Sequence, residues 1–261
     1  MTQTTAMVLV MTTETGSIAS PDGYDASQFP AFAVTVDVVI LTMVHGQLNV
    51  LLVQRGQAPF EGTWAIPGGF KLPTETLDQA AKRELVEETG VDAHSLLTQF
   101  GAYGDPQRDP RMNVVTVGYL AVLRDVGSVV AGTDAADAQL VAVAHVLGGR
   151  RQLAFDHLRI VRDAIARVRT DLEVTGLATA FVGTTFTLAE LRAVYEAVWG
   201  VHLDSANFRR SVATDNGWVI PTGRRAPSGA GGGKPAELFK AGRAWKQGGP
   251  IRRPRRTQKG T

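Results

Sequence analysis

Residues 68–91 read GGFKLPTETLDQAAKRELVEETGV, and the 261-residue chain is organised around this stretch. Five residues separate Gly69 from Glu75, and seven more lead to Arg83, Glu84, Leu85, Val86, Glu87, Glu88, Thr89, Gly90 and Val91. Residues 76–89 hold no Gly or Pro, and Leu77, Ala80, Ala81 and Leu85 are good helix formers, which predicts a helix. The Pro67-Gly68-Gly69 turn is expected to enter it and Gly90 to close it. Glu84, Glu87 and Glu88 stand at i, i+3 and i+4, so their carboxylates share one face. Like charges at that spacing destabilise a helix unless a positive group sits among them, and Arg83 is available for that. Most acidic runs are merely solvated faces. Three carboxylates on one face are also what a hard divalent ion such as Mg²⁺ or Mn²⁺ requires.

Composition bounds the alternatives. With 44% hydrophobic and 20% charged residues the chain has the make-up of a protein that buries an ordinary core. It has no cysteine, which excludes disulfides, thiolate metal sites and cysteine nucleophiles. The apolar run at residues 7–11 lacks a basic leader and is too short for a signal peptide or a membrane span, so no membrane association and a cytoplasmic location are expected. A net charge of +2 conceals an asymmetry. Residues 1–185 carry 13 Lys/Arg against 20 Asp/Glu, and residues 186–261 carry 14 against 5. The halves are thus net −7 and +9, which points to two domains with different partners, the basic one suited to phosphate backbone.

Residues 1–29 show no sustained period and are expected to form a flexible arm. The β-branched run AVTVDVVILTMV, just after Ala31, predicts a buried strand; Gly46-Gln47 turns it into a second strand over 48–54, ended by Arg55. Trp64-Ala65-Ile66-Pro67 predicts a short edge strand. Beyond the acidic helix, 100–103 and 114–122 predict two more strands. Between these lies GDPQRDPRMN, whose Arg108 and Arg111 are either solvated or forked onto a diphosphate or carboxylate. Residues 133–138 suggest a turn or helix start, and 140–146 a strand. Phe155-Asp156-His157 opens a helix to about Leu172, with Leu158, Val161, Ile165, Val168 and Leu172 forming a seam for one partner surface. Residues 176–185 are expected to be a link.

The second domain begins at Phe186. Thr187 and Glu190 have capping-box spacing, Leu188, Leu191, Val194, Tyr195 and Val198 form an apolar stripe, and Gly200 ends the helix. Ser205 starts a second, basic helix through Asn207, Phe208, Arg209 and Arg210, so the pair reads as a helix-turn-helix. Trp218-Val219-Ile220 and Leu238-Phe239 are expected to pair as strands flanking a wing with Arg224, Arg225 and Lys234. Its glycines do not precede Gly-Lys-Ser/Thr, so a phosphate-binding P-loop is rejected. The tail from Arg243 has seven basic residues, no acid and two prolines, and is expected to be disordered.

The stretch from Gly69 to Val91 resembles, at every fixed position, the signature box of the Nudix hydrolases. That resemblance implies an α/β/α sandwich with a mixed sheet and metal-assisted cleavage of a diphosphate linked to another moiety. Glu84, Glu87 and Glu88 would hold the metals, Mg or Mn, with Arg83 and Glu75 bracing the helix by a mutual salt bridge. A Nudix core followed by a winged helix further resembles the Nudix-related transcriptional regulators of NAD metabolism, the NrtR family. Arg108-Asp109-Pro110-Arg111, Ala154-Phe155-Asp156-His157, Phe186-Thr187-Leu188, Glu196 and Asn207-Phe208-Arg209-Arg210 carry this likeness over roughly residues 30–242. It implies a Nudix domain over 30–154, a connecting helix and linker over 155–185, a winged helix over 186–242 and a basic tail over 243–261. It also implies a homodimeric repressor of NAD-synthesis genes on a near-palindromic promoter operator, binding ADP-ribose or a related metabolite beside Arg55, Arg108 and Arg111. The alternative is a working ADP-ribose pyrophosphatase; an RNA-processing Nudix protein is disfavoured because no cluster of aromatics suited to base stacking stands out. Related pyrophosphatases use a Glu on a later loop as general base, and residues 126–150 offer only Asp134 and Asp137; box glutamates serve as base in other Nudix enzymes, and the box here is whole, so the resemblance also allows a repressor with residual hydrolase activity.

Overall fold

The computed structural model describes residues 25–90, 97–124, 135–213, 217–227, 235–242 and 251–254. Most of the expected N-terminal arm lies outside them; Ala26–Gln28 form a 3-10 turn. From Ala33 the chain enters the sheet. Strand β1 (Ala33–Val44) turns at His45-Gly46 into β2 (Gln47–Arg55), as the β-branched run and the glycine require. Then come β3 (Trp64–Ala65), β4 (Gly68–Phe70), α1 (Leu77–Thr89), β5 (Leu97–Tyr103), β6 (Val114–Leu123) and β7 (Ala135–Ala142).

The register explains where an opening forms. β1 keeps β6 as a parallel neighbour along nearly its whole length, while its other edge takes β2 at Leu41–Val44 and β4 at Thr35–Asp37. β2 keeps β7 on its far side, while its near edge passes from β1 to β3 at Val53–Gln54. β1 and β2 therefore diverge after their shared turn, and β3 and β4 line the inner edges of the gap.

Three local expectations are corrected. Pro67-Gly68-Gly69 is not the helix entry: Gly68–Phe70 is strand β4, and α1 begins after Thr76. Thr76 and Gln79 form a capping box there, and Gly90 closes the helix with φ +66°. The turn or helix start expected at 133–138 is, from Ala135, strand β7; its alanines have weak strand preference, but the open edge of β2 supplies the ladder. The strand expected at 140–146 stops at Ala142, where helix α2 (Val143–Leu147) takes over.

Alternation along β1 fixes the layers. Val36, Val38 and Ile40 pack with Ala80, Ala81 and Leu85 of α1, while Val39 and Leu41 face the other way. That second face meets α3 (His157–Val174), whose Val161, Ile165, Val168 and Leu172 are fully buried. The α3 seam is thus spent within the chain. Each such side chain contributes about 1.5–3 kcal/mol of burial. The expected link is also packed: Leu177–Phe181 make a 3-10 turn with Ala178 and Phe181 inside.

α4 (Leu188–Trp199) begins at the Thr187–Glu190 capping box and ends at Gly200, as its sequence dictates. α5 (Ser205–Ala213), β8 (Val219–Arg225) and β9 (Glu237–Ala241) complete a helix-turn-helix with a β-ribbon, and Phe186 extends the ribbon by bridging Phe239. One apolar cluster runs from Val39 and Leu41 through α3 into Leu191, Tyr195, Trp199, Phe208 and Trp218. Trp199 donates to the Arg169 carbonyl, and Arg169 Nε donates to the Val198 carbonyl. The basic tail is not wholly without structure, because Ile251 is buried in this same cluster.

Candidate functional site

The opening between the diverging strands is lined by Thr35 and Asp37 of β1, Arg55 of β2, Gly68 and Gly69 of β4, Glu88 of α1, Arg108, Asp109 and Arg111 of the β5–β6 loop, and Phe155 and His157. A backbone atom keeps Gly68 a glycine, while Gly69 faces the end of the Glu84 side chain. A Cβ on Gly68 would stand 2.3 Å from the Val36 carbonyl oxygen, and one on Gly69 would stand 2.2 Å from Glu84 Oε1.

On the α1 side, Arg83 is the hub. Its Nη2 and Nε donate to the two Glu75 oxygens at 2.7 and 3.1 Å, and its Nη1 donates to Glu84 at 2.7 Å and Glu87 at 3.0 Å. The expected Arg83–Glu75 brace is present, and hydrogen bonding to Arg83 brings the Glu75 carboxyl down to about 2. Glu84 is buried, and desolvation raises its pKa against the pull of Arg83. Glu88 accepts the Gly68 N–H at 3.0 Å, and the Glu87 side chain is half-exposed. The three glutamates share a helix face as expected but do not converge: among the described residues no group of three or more His, Asp or Glu is arranged to hold a metal ion. Their all-oxygen chemistry fits a hard divalent ion, which would have to compete with Arg83 for two of them.

The opposite wall is built from guanidiniums and rings. Arg55 donates to the Pro59 carbonyl at 2.7 Å and lies 4.8 Å from the Phe155 ring centre. Arg111 forks onto Asp109 and lies over both Phe70 and Phe155. Burial lowers the Arg55 pKa and the like charge of Arg111 lowers it further, so an anion between them would relieve both costs. Arg108 also lines the opening, but its guanidinium is committed: it forks onto Asp156 at 2.6 and 3.0 Å and reaches Asp37 at 3.5 Å. Burial opposes its charge, and these carboxylates outweigh that and raise its pKa.

Sequence reasoning assigned no role to Asp37 or His157. Ile66 N–H donates to His157 Nδ1 at 3.1 Å, which leaves the proton on Nε2, 3.6 Å from Asp37. Complete burial pushes the His157 pKa below its ordinary value. The available signals were a polar Asp inside an otherwise apolar strand and a His in the first turn of an amphipathic helix. Phe155, quoted only as part of a motif, adopts φ +51° to turn its ring into the opening. Asp137 does not line it; its carboxylate accepts the Ala138 N–H on β7, and Asp134 lies outside the described residues.

The second candidate surface is α5. Phe208 and Val212 are buried, so Arg210 projects from the opposite face, hydrogen-bonded to the Asn207 side chain. Arg209 lies toward the wing, 3.7 Å from Glu237 of β9. Arg224 and Arg225 are exposed on β8, with Arg225 donating to the Pro235 carbonyl; Lys234 lies outside the described residues.

Both halves match known families. Residues 31–164 match the NUDIX domain and residues 179–241 the NrtR DNA-binding winged helix domain. The chain belongs to the NrtR family. A member from Acinetobacter baylyi, the ADPR responsive transcriptional repressor NtrR, is 33% identical over 83% of this chain and 85% of that protein. The crystal structure of Shewanella oneidensis NrtR complexed with a 27mer DNA superposes with a TM-score of 0.69 at 32% identity, covering 82% and 95% of the two chains. The NUDIX domain of the same NrtR, complexed with ADP ribose, matches with a TM-score of 0.51 at 37% identity over 56% of this chain and 94% of that one. The NrtR architecture explains why one chain carries both a guanidinium-lined opening and a basic helix-turn-helix.

Proposed function

We propose that the protein is a DNA-binding transcriptional repressor of NAD-synthesis genes whose Nudix opening binds ADP-ribose or a related NAD metabolite. The observation that carries this reading is a single apolar core joining the two halves through α3, so ligand and DNA surfaces belong to one packed body. Arg55, whose guanidinium donates to the Pro59 and Gln57 carbonyls rather than to a carboxylate, is suited to the diphosphate, and the partly exposed Arg111 adds positive charge beside it although its fork is held by Asp109. Asn207 and Arg210 are suited to base edges and Arg224 and Arg225 to phosphates. A near-palindromic operator calls for a homodimer, and such a role goes with a cytoplasmic location. No described helix is long and apolar enough to cross a membrane.

Retention of the ligand is favoured over its cleavage. The carboxylates lining the opening are already held: Asp37 by Arg108, Glu88 by the Gly68 N–H, and Asp109 by Arg111. A general base must be within reach of the water it activates; residues 126–150 hold no Glu and Asp137 does not line the opening, so turnover is expected to be slow, with a box glutamate as base. Mg²⁺ or Mn²⁺ is proposed to bind at Glu84, Glu87 and Glu88, where it would supply charge neutralisation beside the diphosphate. The test is a gel shift with promoter DNA, with and without ADP-ribose, alongside assay of AMP release. DNA binding that responds to ADP-ribose with little or no AMP supports the repressor. Rapid AMP release without DNA binding supports a pyrophosphatase.

A further inference from the structure

The segment Ile251–Pro254 lies beyond the matched winged helix, yet it is built into the DNA-binding half. Ile251 is only 6% exposed and joins the core cluster that holds Tyr195, Trp199 and Phe208. Arg253 donates to the Trp199 carbonyl, one of the orphan acceptors at the C-terminal end of α4. Arg252 and Pro254 form one wall of a groove whose other wall is Asp204, Asn207 and Ser211 of the turn and α5.

The position relative to α5 matters. Ser205, Ala206 and Arg209 face β9 across a second groove, so they mark the flank beside the β-ribbon wing. Asn207 and Ser211 lie on the other flank, facing Arg252. The outward face between the two flanks carries Arg210. A recognition helix seated in a groove has a phosphate backbone on either side of it. The wing meets one side; the buried foot at Ile251 holds the exposed Arg252 toward the other. The one acid in the tail-side groove, Asp204, caps the start of α5 by accepting the Asn207 N–H at 2.8 Å.

We infer that Ile251–Pro254 is a second wing: Ile251 and the Arg253–Trp199 hydrogen bond pin it, and Arg252 presents a cation to the DNA phosphate backbone on the flank of α5 opposite the β-ribbon. This rests on the repressor reading. Its chemistry is sequence-independent, since phosphates carry no base information.

The test uses the full-length protein and a random-sequence DNA duplex, followed by fluorescence anisotropy across a range of salt. Each lost phosphate contact lowers the slope of log affinity against log salt by about one. Arg252→Gln should lower it by about one, with Arg252→Lys restoring the wild-type slope. Over a fourfold rise in salt, Arg252→Gln should lose roughly fourfold less affinity than wild type. Ile251→Ala keeps the charge but frees the segment, and should lower the slope as well. Thermal melting and ADP-ribose affinity of each variant report whether the fold is retained. An unchanged slope in Arg252→Gln overturns the second wing, even if Ile251→Ala has an effect, because the segment is then only packing. A loss confined to the operator and absent on random DNA also overturns it, as base reading. Wild-type protein that binds neither operator nor random duplex defeats the repressor reading itself.

Discussion

His157 stands where the two halves of the ligand wall meet, with Nδ1 accepting from Ile66 and Nε2 facing Asp37. Asp156, Arg108 and Arg55 also surround it, and burial outweighs the two acids to hold its pKa below the ordinary 6.5. As pH falls, the unfolded chain takes up this proton before the folded one, so stability from His157 is complete above about pH 6.5 and is lost below it. Melting curves between about pH 8 and 5 should show a steeper loss for wild type than for His157→Gln, whose amide oxygen can still accept from Ile66. Parallel curves would mean that His157 titrates alike in the folded and unfolded chain. The carboxylates of α1 make a separate case. Glu84→Gln with Glu88→Gln should abolish Mn²⁺ binding in calorimetry, since it removes the buried donor and the one nearest the opening. Wild-type-like Mn²⁺ binding in that variant would locate the ion elsewhere.

At the scale of elements, α5 separates two kinds of contact. Arg210 lies opposite the buried Phe208 and Val212 and is oriented by Asn207, so it is the side chain best set to reach a base. Arg210→Ala should cost about 1–3 kcal/mol on the operator and little on random DNA; equal loss on both would make it a phosphate contact. The α5 helix was legible because its determinants are local: a turn, an apolar pair and a basic face within nine residues. The same holds for α4, whose Thr187–Glu190 box and terminal Gly200 lie within one short stretch, and for the spacing from Gly69 to Gly90. What escaped depends on distant pairing. β4 reads as a turn in the sequence because its partner, Thr35–Asp37 of β1, is far away along the chain. β7 has little strand preference of its own and exists because β2 offers an edge. Asp37 and His157 come together only when β1 and the start of α3 meet, and neither stands in a motif that names the other. The sequence points Arg108 at the ligand; its fork onto Asp156 is a contact across 48 residues that the loop alone does not specify.

Across the whole molecule, the Arg108–Asp156 pair would offer ligand a route to DNA. Asp156 is the N-cap of α3, and its carboxylate is held by Arg108 in the ligand wall, so it does not cap its own helix. The other end of α3 is bonded to α4 through Arg169 and Trp199, directly behind the helix-turn-helix. A diphosphate seated by Arg55 and Arg111 would alter the charge balance around Arg108, and a rigid α3 would carry any displacement into α4. Distance alone does not make this allosteric; ADP-ribose must bind the DNA-competent and incompetent arrangements with different affinity. We expect it to weaken operator binding by about 1–3 kcal/mol, the usual range for such coupling. By reciprocity, operator DNA must weaken ADP-ribose binding by the same factor. Arg111→Ala should abolish the response through loss of ligand. Arg108→Lys keeps the charge but not the fork, so it should leave ADP-ribose affinity largely intact while reducing the factor by which ligand and DNA oppose each other. Titrating operator into protein with and without saturating ADP-ribose measures that factor for wild type and both variants. Identical wild-type operator affinity in the two titrations would sink the coupling; full coupling in Arg108→Lys would sink the route through Asp156.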